Sequence, residues 1–512
     1  MKNHCSVHPR ICGSRLILLF VILFVSHVIS PFLSRAHGQA MGGQLHYLSA
    51  DEGITIKQKL GTIPDGSTLR LEGIFYTGLK VERAIYTRGI TIDGQGRTLL
   101  FAYNGTYDPK KKTITFKAQD GRTLTEEFNP ARHYYLTNWG NLTIMDCHHV
   151  TVKNLEVWGG CSEAISINDS YPEIGLRDIM LENVTARYGG SRGLFSGGSW
   201  ADGIVLKDCT ITETCYGDTT HCIYFSGGHW NGGWPGFRNI KILNTTVSYS
   251  GGRHLIQLNG RFSDVEISGC DLHHGQLSAI SSIGVKNGIY KNNRIYGCNR
   301  QGIVIYEDGD DDIDWNSPEQ IQQWMSCHWP NQNLIIENNT IVVGPKRWKL
   351  DQWRSDSPED KAAILMNNPI HGIRKGVEFP NKSIVIRNNL IWSPNDAVVC
   401  FYHDQEALCA QVYGNWIESK TMNPGISMGD RYFTFSLLQE LYKDRVHDNA
   451  AKACDFQQFP EYPDEVNTTS NPAYWFGRDH ECKVNLFSKT ATPALKGAVN
   501  PLRWKAVPDG KK

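Results

Sequence analysis

The sequence predicts an all-β solenoid of short stacked strands. Three observations predict it. A phrase of the form apolar-x-Asn-x-x-apolar returns from about residue 142 onward, each return is followed by a second short strand of alternating apolar residues, and the 512 residues include 49 glycines, which demand many turns. By size alone the chain would make three domains, but a single repeated unit makes it one long domain. The 52 basic residues cancel the 52 acidic ones. Phosphate binding needs clustered positive charge, so a nucleic-acid partner is excluded. At 40% hydrophobic and 11% aromatic, the chain can bury a sizeable core.

Residues 1–40 read as a leader rather than as fold. Lys2, Arg10 and Arg15 precede an apolar run from Leu16 to Val25, extended through Val28 and Ile29 and followed by Ser30-Pro31 and Gly38-Gln39-Ala40. This is the layout of a secretory signal cleaved after Ala40, and the run is shorter than the ~20 residues of a spanning helix. The expectation is an exported protein (periplasmic, extracellular or cell surface), off the membrane after cleavage and monomeric.

After the leader comes a short amphipathic stretch at 52–60, then strands at 67–71 and 89–96. Strands at 112–117 and 122–125 flank Gln119-Asp120-Gly121, a hairpin signal within an insertion at 102–137. The repeat proper puts Asn154, Asn183, Asp208, Asn244, Gly269, Asn292, Asn338, Asn388 and Gly414 in one column, with gaps from 23 to 50 positions. Short gaps suit one solenoid coil, and long ones are coils carrying insertions. Second strands fall at 164–167, 222–225, 255–258, 302–305, 363–366 and 397–401. Coils of this kind hydrogen-bond to coils above and below, and the Asn column is expected to stack as an amide ladder. Its matches to Asn-x-Ser/Thr at Asn183, Asn244 and Asn338 come from the repeat and are not read as glycosylation sites. Charged or Trp-bearing insertions occupy 308–331 and 345–361. From 421 the pattern ends, 433–446 reads as an amphipathic helix, and 421–512 is expected to cap the solenoid.

Two of the 14 cysteines, Cys5 and Cys12, leave with the leader. Export permits disulfides, and Cys400 with Cys409 and Cys454 with Cys482 are the pairs expected first. Cys147, Cys209, Cys270 and Cys298 read as small buried residues. No CxxC spacing occurs, which argues against a zinc or thioredoxin-like site.

The phrases Val150-Thr-Val-Lys-Asn-Leu-Glu-Val157, Gly288-Ile-Tyr-Lys-Asn-Asn-Arg-Ile295 and Ile384-Val-Ile-Arg-Asn-Asn-Leu-Ile391 resemble the repeats of the pectate-lyase-like superfamily. The resemblance covers about 45–420. It implies a single-stranded right-handed parallel β-helix with an N-terminal cap helix. It leaves the chemistry open, because such repeats serve lyases, hydrolases, epimerases and non-catalytic binders.

Candidate chemistry concentrates on three successive coils. His254, Gln257, Asn259 and Arg261, then His273, His274 and Lys286, then Arg300, Tyr306, Glu307 and Asp308 lie just before, on or just after the second strands. Abstraction of the proton next to a sugar carboxylate needs a base, a group to hold the enolate charge and an acid for the leaving oxygen. Lys286 or one of His273 and His274 is the candidate base, Arg261 or Arg300 the neutralising cation, and Tyr306 the acid. His254, Gln257, Asn259 and Glu307 are candidate substrate contacts. The resemblance implies the same vocabulary, a Lys or Arg base often accompanied by calcium. Asp308, Asp310, Asp312, Asp314, Asn316 and Glu319 match the ligand positions of a calcium loop, although Ile313 replaces its glycine. Against calcium, Ser317-Pro318-Glu319-Gln320 reads as the start of a capped helix. His148-His149 reads as a tight turn rather than a metal site.

A lyase on a uronic-acid polysaccharide is therefore the first functional expectation. A non-catalytic glycan-binding or structural rod is the alternative, and a C5-epimerase or glycoside hydrolase the third. Glu307 and Asp308 are adjacent and would point to opposite faces of a strand, which disfavours hydrolysis by paired carboxyls. Ile283-Gly-Val-Lys286 stands where an alginate epimerase carries Asp-Pro-His-Asp.

Overall fold

The computed structural model describes residues 43–453 apart from 131, 139–141, 216–219, 229–234, 307–316, 321, 323–328, 330, 344–361, 368–382, 394–396, 402–409, 420–423 and 429–430. The expected leader lies outside the described residues. From Leu45 the strands wind into a stack of coils in which each strand pairs in parallel with its equivalent one coil away.

One coil shows the plan. Ile256–Ser268 bends at Gly260, so that 256–260 belong to a face A and 262–268 to a face B, and Asp271–His273 form a face C. The chain then turns back to face A at Ile280–Lys291, in register Ile256↔Ile280 and Val265↔Gly288. The expected second strands all lie on face A: Glu163–Asn168, Ile223–Gly227, Ile256–Ser268, Ile303–Tyr306, Ile364–Asn367 and Ala397–Phe401.

The Asn column is the B-to-C turn, and its work differs from the one expected of it. Asn154, Asn183, Asp208, Asn244, Asn292, Asn338 and Asn388 have φ between 49° and 56°, with Gly269 and Gly414 at 67° and 64°. This left-handed conformation is what selects Asn, Asp and Gly there. A short exposed ladder joins Asp93, Asn154 and Asn183, each bond 2.9 Å. The buried amide ladder stands one residue further on, through Asn293, Asn339, Asn389, Asn415 and Asn449. Each of the first four donates its Nδ2 to the next Oδ1 at 2.9–3.0 Å. Each of those four also donates its backbone N–H to the same oxygen. Upstream, the same inward position holds Cys209, Thr245 and Cys270, and the Cys270 N–H donates to Asn293 Oδ1 at 3.0 Å.

Inside the coils, aliphatic side chains stack in files, such as Ile165, Leu194, Ile223, Ile256, Ile280, Ile303 and Ile364 behind face A. Each is fully buried, and such burial stabilises by roughly 1.5–3 kcal/mol per side chain before chain entropy is subtracted. The open first coil is closed by helix Ile56–Leu60, which buries Ile56 and Leu60 and starts at a capping box of Thr55 with Gln58. The hairpin appears as Thr113–Lys117 against Thr123–Glu127, with Thr106–Asp108 as a third strand. It packs through its own cluster of Phe101, Tyr103, Tyr107 and Phe116.

The C-terminal boundary expected at 421 is corrected. Gly425–Met428 pairs in parallel with Ala397–Phe401, Val446–His447 with Ala410–Tyr413, and Ala450–Ala453 with Trp416–Ser419, so coils continue to 453. The repeat was obscured because strand Arg431–Thr434 and helix Phe435–Leu441 interrupt that coil. No helix among the described residues is long and apolar enough to cross a membrane.

Candidate functional site

The proposed cluster occupies three places around face A. The first is the corner where face A bends into face B. There Arg261 follows Gly260, and Lys286 follows Val285 one coil later, in register with Ser263. Both approach Trp329, with Lys286 Nζ 4.2 Å from the ring centroid and the Arg261 guanidinium carbon 5.7 Å from it. The quadrupole of the ring attracts both cations. Burial, followed by the charge of Arg261, lowers the Lys286 pKa from its ordinary value.

This corner is built rigidly. Beneath it Ser282 Oγ and Tyr290 OH share a hydrogen bond of 2.8 Å, and Ser282 Oγ also donates to Asn331 Oδ1 at 3.0 Å. Val285 N–H donates to that Oδ1, Gln332 N–H donates to Val285 O, and Asn287 N–H donates to Gln332 O. These bonds fix the chain next to Trp329 and the backbone of Lys286. Glycines make room for the guanidinium arm. A Cβ on Gly236 would lie 2.6 Å from the Cβ of Arg261 and 2.5 Å from its carbonyl oxygen.

The second place is the outward surface of face A. Successive coils bring Phe195, Tyr224, Gln257 and Ser281 into one row, with Asn259 two positions further along its strand. Gln257 and Ser281 are buried, and Gln257 Oε1, Asn259 Oδ1 and Ser281 Oγ have no hydrogen-bond partner among the described residues. Buried polar atoms left open cost about 1–3 kcal/mol each unless water or a ligand satisfies them. Asn259 Nδ2 is spent on Tyr224 OH at 3.4 Å.

The third place is the C-to-A turn bordering that row. Glu163, Arg192, His221, His254, Ser278 and Gln301 occupy equivalent positions of successive coils. Arg192 lies 3.7 Å from Glu163 and 4.7 Å from the Phe195 ring centroid. His221 stacks on His254 at 5.2 Å and touches Tyr224 at 5.0 Å. Burial, with help from Arg253 and Arg300, holds His254 down at about 3, and His221 is likewise pushed well below the usual histidine value. Both are neutral hydrogen-bonding rings at ordinary pH.

His273 and His274 end face C and are enclosed. Their Nδ1 atoms share a hydrogen bond of 2.6 Å, His273 stacks on Tyr296 and His274 on Tyr249. Burial lowers His273 to about 3. The structure thus separates the alternative bases: Lys286 is at the A-to-B corner, the histidine pair beyond the opposite edge of face A. Of the two candidate cations, Arg261 joins Lys286, whereas Arg300 lies by the C-to-A turn near His254. The backbone of Tyr306 is in the row of Asn259, one coil beyond Ile283. Its side chain, Glu307 and Asp308–Asp314 lie outside the described residues. Glu319 is exposed and accepts from Ser317 Oγ at 3.1 Å, and Ser317 Oγ accepts from Gln320 N–H, as a helix start requires. No group of three or more His, Cys, Asp or Glu among the described residues is placed to hold a metal ion.

Sequence reasoning missed Glu163, Arg192, Phe195, His221 and Tyr224, and did not place Trp329 beside Lys286. The signal for the first five was the register itself, since each stands one or more coils upstream of a residue singled out. Trp329 is brought to Lys286 by an insertion, which periodicity cannot place. The described cysteines Cys147, Cys161, Cys209, Cys215, Cys222, Cys270 and Cys298 are free thiols. The side chains of the four in the expected disulfides lie outside those described.

No curated protein matches the chain. A family model described as "Right handed beta helix region" matches residues 228–345. Among solved structures, the chain is similar to the A-module of a mannuronan C-5 epimerase from Azotobacter vinelandii, at 11% identity and TM-score 0.40 over 80% of this chain and 100% of that one. It is similar to a polygalacturonase from Erwinia carotovora, at 13% identity and TM-score 0.42 over 74% of this chain and 93% of that one. It is also similar to an alginate lyase from Paenibacillus, at 11% identity and TM-score 0.33 over 80% and 99%. With parallel coils on three faces, an inward ladder at the B-to-C turn and this family match, the chain is a right-handed parallel β-helix protein.

Proposed function

We propose that the protein is an exported enzyme acting on an acidic polysaccharide laid along face A, cleaving it by β-elimination at the A-to-B corner. The observation that carries this reading is the convergence of Lys286 and Arg261 on Trp329, with the lysine pKa lowered. A lysine whose pKa is lowered gives up its proton more readily than a free one and can then serve as a base, and an adjacent guanidinium matches a carboxylate. In the proposed step neutral Lys286 Nζ takes the proton from C5 of a uronate, and Arg261 holds the charge that develops on the carboxylate. A C4–C5 double bond forms as the C4–O bond breaks, and the leaving oxygen takes a proton from Tyr306. The open acceptors on Gln257, Asn259 and Ser281 would receive hydroxyls of neighbouring sugars.

A second reading, non-catalytic glycan binding, is favoured by Phe195 and Tyr224 on the same face under the guanidinium of Arg192. A panel of uronic-acid polymers, followed by the absorbance of the unsaturated product, tests both. Product that disappears in Lys286→Ala supports the lyase. Inversion at C5 without cleavage would move the same machinery to epimerisation. Binding without either change leaves the second reading, and neither binding nor turnover on any polymer removes both. A chelator arm tests the calcium proposed for 308–319.

A further inference from the structure

A second cleft lies on face B, among the N-terminal coils. It encloses about 330 Å³ and is lined by Ser67, Arg88, Thr91, His149, Thr151, Asp178, Met180 and Val205 together with Gly66, Gly89 and Gly203. That volume is at the lower end of small-molecule sites, about 300–1,000 Å³.

The cleft follows from one column of the repeat. Just before each face B strand the chain passes through a left-handed residue: Gly89, His149, Asp178, Gly203, Asn239, Asp264, Asn287 and Asn333 in turn. Further along the rod Asn287 and Asn333 fill this column with an amide ladder on Asp264. Here, by contrast, glycines at 89 and 203 bracket two functional side chains. His149 Nδ1 lies 2.9 Å from Asp178 Oδ2. A side chain at 203 would crowd Asp178, its Cβ 3.0 Å from Oδ1, and one at 66 would press on Arg88 at 3.3 Å. His149 has φ 58°, a left-handed conformation that any residue other than glycine holds at some backbone cost.

A further feature points to a ligand. The floor is built from outward residues of successive coils, Thr91, Thr151, Met180 and Val205, in register. Methyl and thioether groups therefore face up, while His149, Asp178 and Arg88 provide donors and acceptors around them. A pyranose has that pattern in reverse, an apolar C–H face and a rim of hydroxyls.

We propose that this cleft binds one pyranose unit of a glycan, on a face of the rod separate from the corner of Lys286. The proposal extends the glycan reading of face A: a chain held on face B would tether the protein to its substrate without entering the cleavage site. The carboxylate of Asp178 and the imidazole of His149 hold adjacent hydroxyls, and Arg88 adds a preference for an acidic sugar.

Saturation-transfer NMR on the full chain with glucose and with glucuronic acid tests it. Gly is the substitution of choice, because the neighbouring positions of the column are Gly and the backbone there is left-handed. Saturable binding that weakens at least about ten-fold in His149→Gly and in Asp178→Gly is the expected result, since losing a charge-assisted hydrogen bond costs about 1.5–3 kcal/mol. A preference for glucuronic acid that vanishes in Arg88→Ala fixes the role of the arginine. No saturable binding of either sugar, or binding lost in Lys286→Ala and kept in Asp178→Gly, overturns the proposal. Binding that depends on His149 in a protein turning over no polymer keeps this site and removes the lyase.

Discussion

Asn339 donates its Nδ2 to Asn389 Oδ1 at 3.0 Å and to Tyr290 O at 2.8 Å, while its neighbour Asn338 makes the turn at φ 56° on the side facing away from the core. Two adjacent asparagines therefore have separable jobs. Asn339→Ala removes the acceptor used by the N–H and Nδ2 of Asn293 and is expected to destabilise by about 1–3 kcal/mol for each buried group left unpaired. Asn338→Gly keeps the left-handed turn and should change stability by within about 0.5 kcal/mol. Urea unfolding of the two variants checks this, and equal losses would show that the turn residue carries the ladder after all.

That pair also marks what was legible in the sequence. The recurring Asn announced the coils and their spacing, because only a few residue types accept a left-handed turn. Which of two adjacent asparagines points inward was hidden, since Asn154 and Asn183 lack an Asn after them and so drew attention to the outer column. The site was legible in part for a related reason. Lys286 and Arg261 stand out as cations beside a strand end, but the ring that unites them comes from residue 329, forty-three positions beyond Lys286, at the end of an insertion. His273 and His274 looked equally eligible, because adjacency in sequence says nothing about the tyrosines that enclose them.

Stability should fall on both sides of a plateau. His254 and His273 have folded values of about 3 against 6.5 for a free histidine, so below pH 6.5 the unfolded chain takes up protons that the folded chain refuses. Their contribution is complete above 6.5 and is lost progressively as the pH falls toward 3. Burial raises Cys147 and Cys209 to about 11 and Cys270 and Cys298 to about 12, against 9.0. Above pH 9 the unfolded thiols ionise first, and stability declines again. Melting temperatures across pH 4 to 11 should therefore be highest between about 7 and 9. A flat profile from 7 down to 5 would contradict the burial of the histidines.

For the proposed lyase, the pH dependence of kcat/KM should rise along a limb centred below 10.5, because the Lys286 pKa is lowered by burial and by Arg261. Arg261→Gln removes the second cause, so the limb should move upward in pH as well as the rate falling. Lys286→Arg retains the charge and cannot lose its proton, so turnover should vanish while polymer binding persists. A limb that stays in place in Arg261→Gln would separate the two residues mechanistically.

The sharpest connection between fold and site lies in the glycines of the A-to-B corner. A Cβ on Gly260 would fall 2.0 Å from Gly227 O, and one on Gly284 would fall 1.8 Å from Gly260 O, so each coil places a carbonyl where its neighbour's side chain would be. Both glycines have positive φ, 133° and 70°, so a side chain there is strained as well as obstructed. Gly260→Ala must therefore separate two coils next to Arg261 or fail to fold, whereas Gly121→Ala, with φ 84° and open space at the hairpin tip, meets only the conformational penalty of about 1–2 kcal/mol. Soluble yield and denaturant midpoints of the two variants measure the difference. Any Gly260→Ala protein that does fold should show weakened polymer turnover at unchanged monosaccharide binding on face B, because the displacement falls at the corner holding Arg261 and Lys286 and leaves the coils of His149 and Asp178 undisturbed. Equal behaviour of the two alanine variants would mean that the coil spacing at the corner yields more readily than its backbone contacts imply.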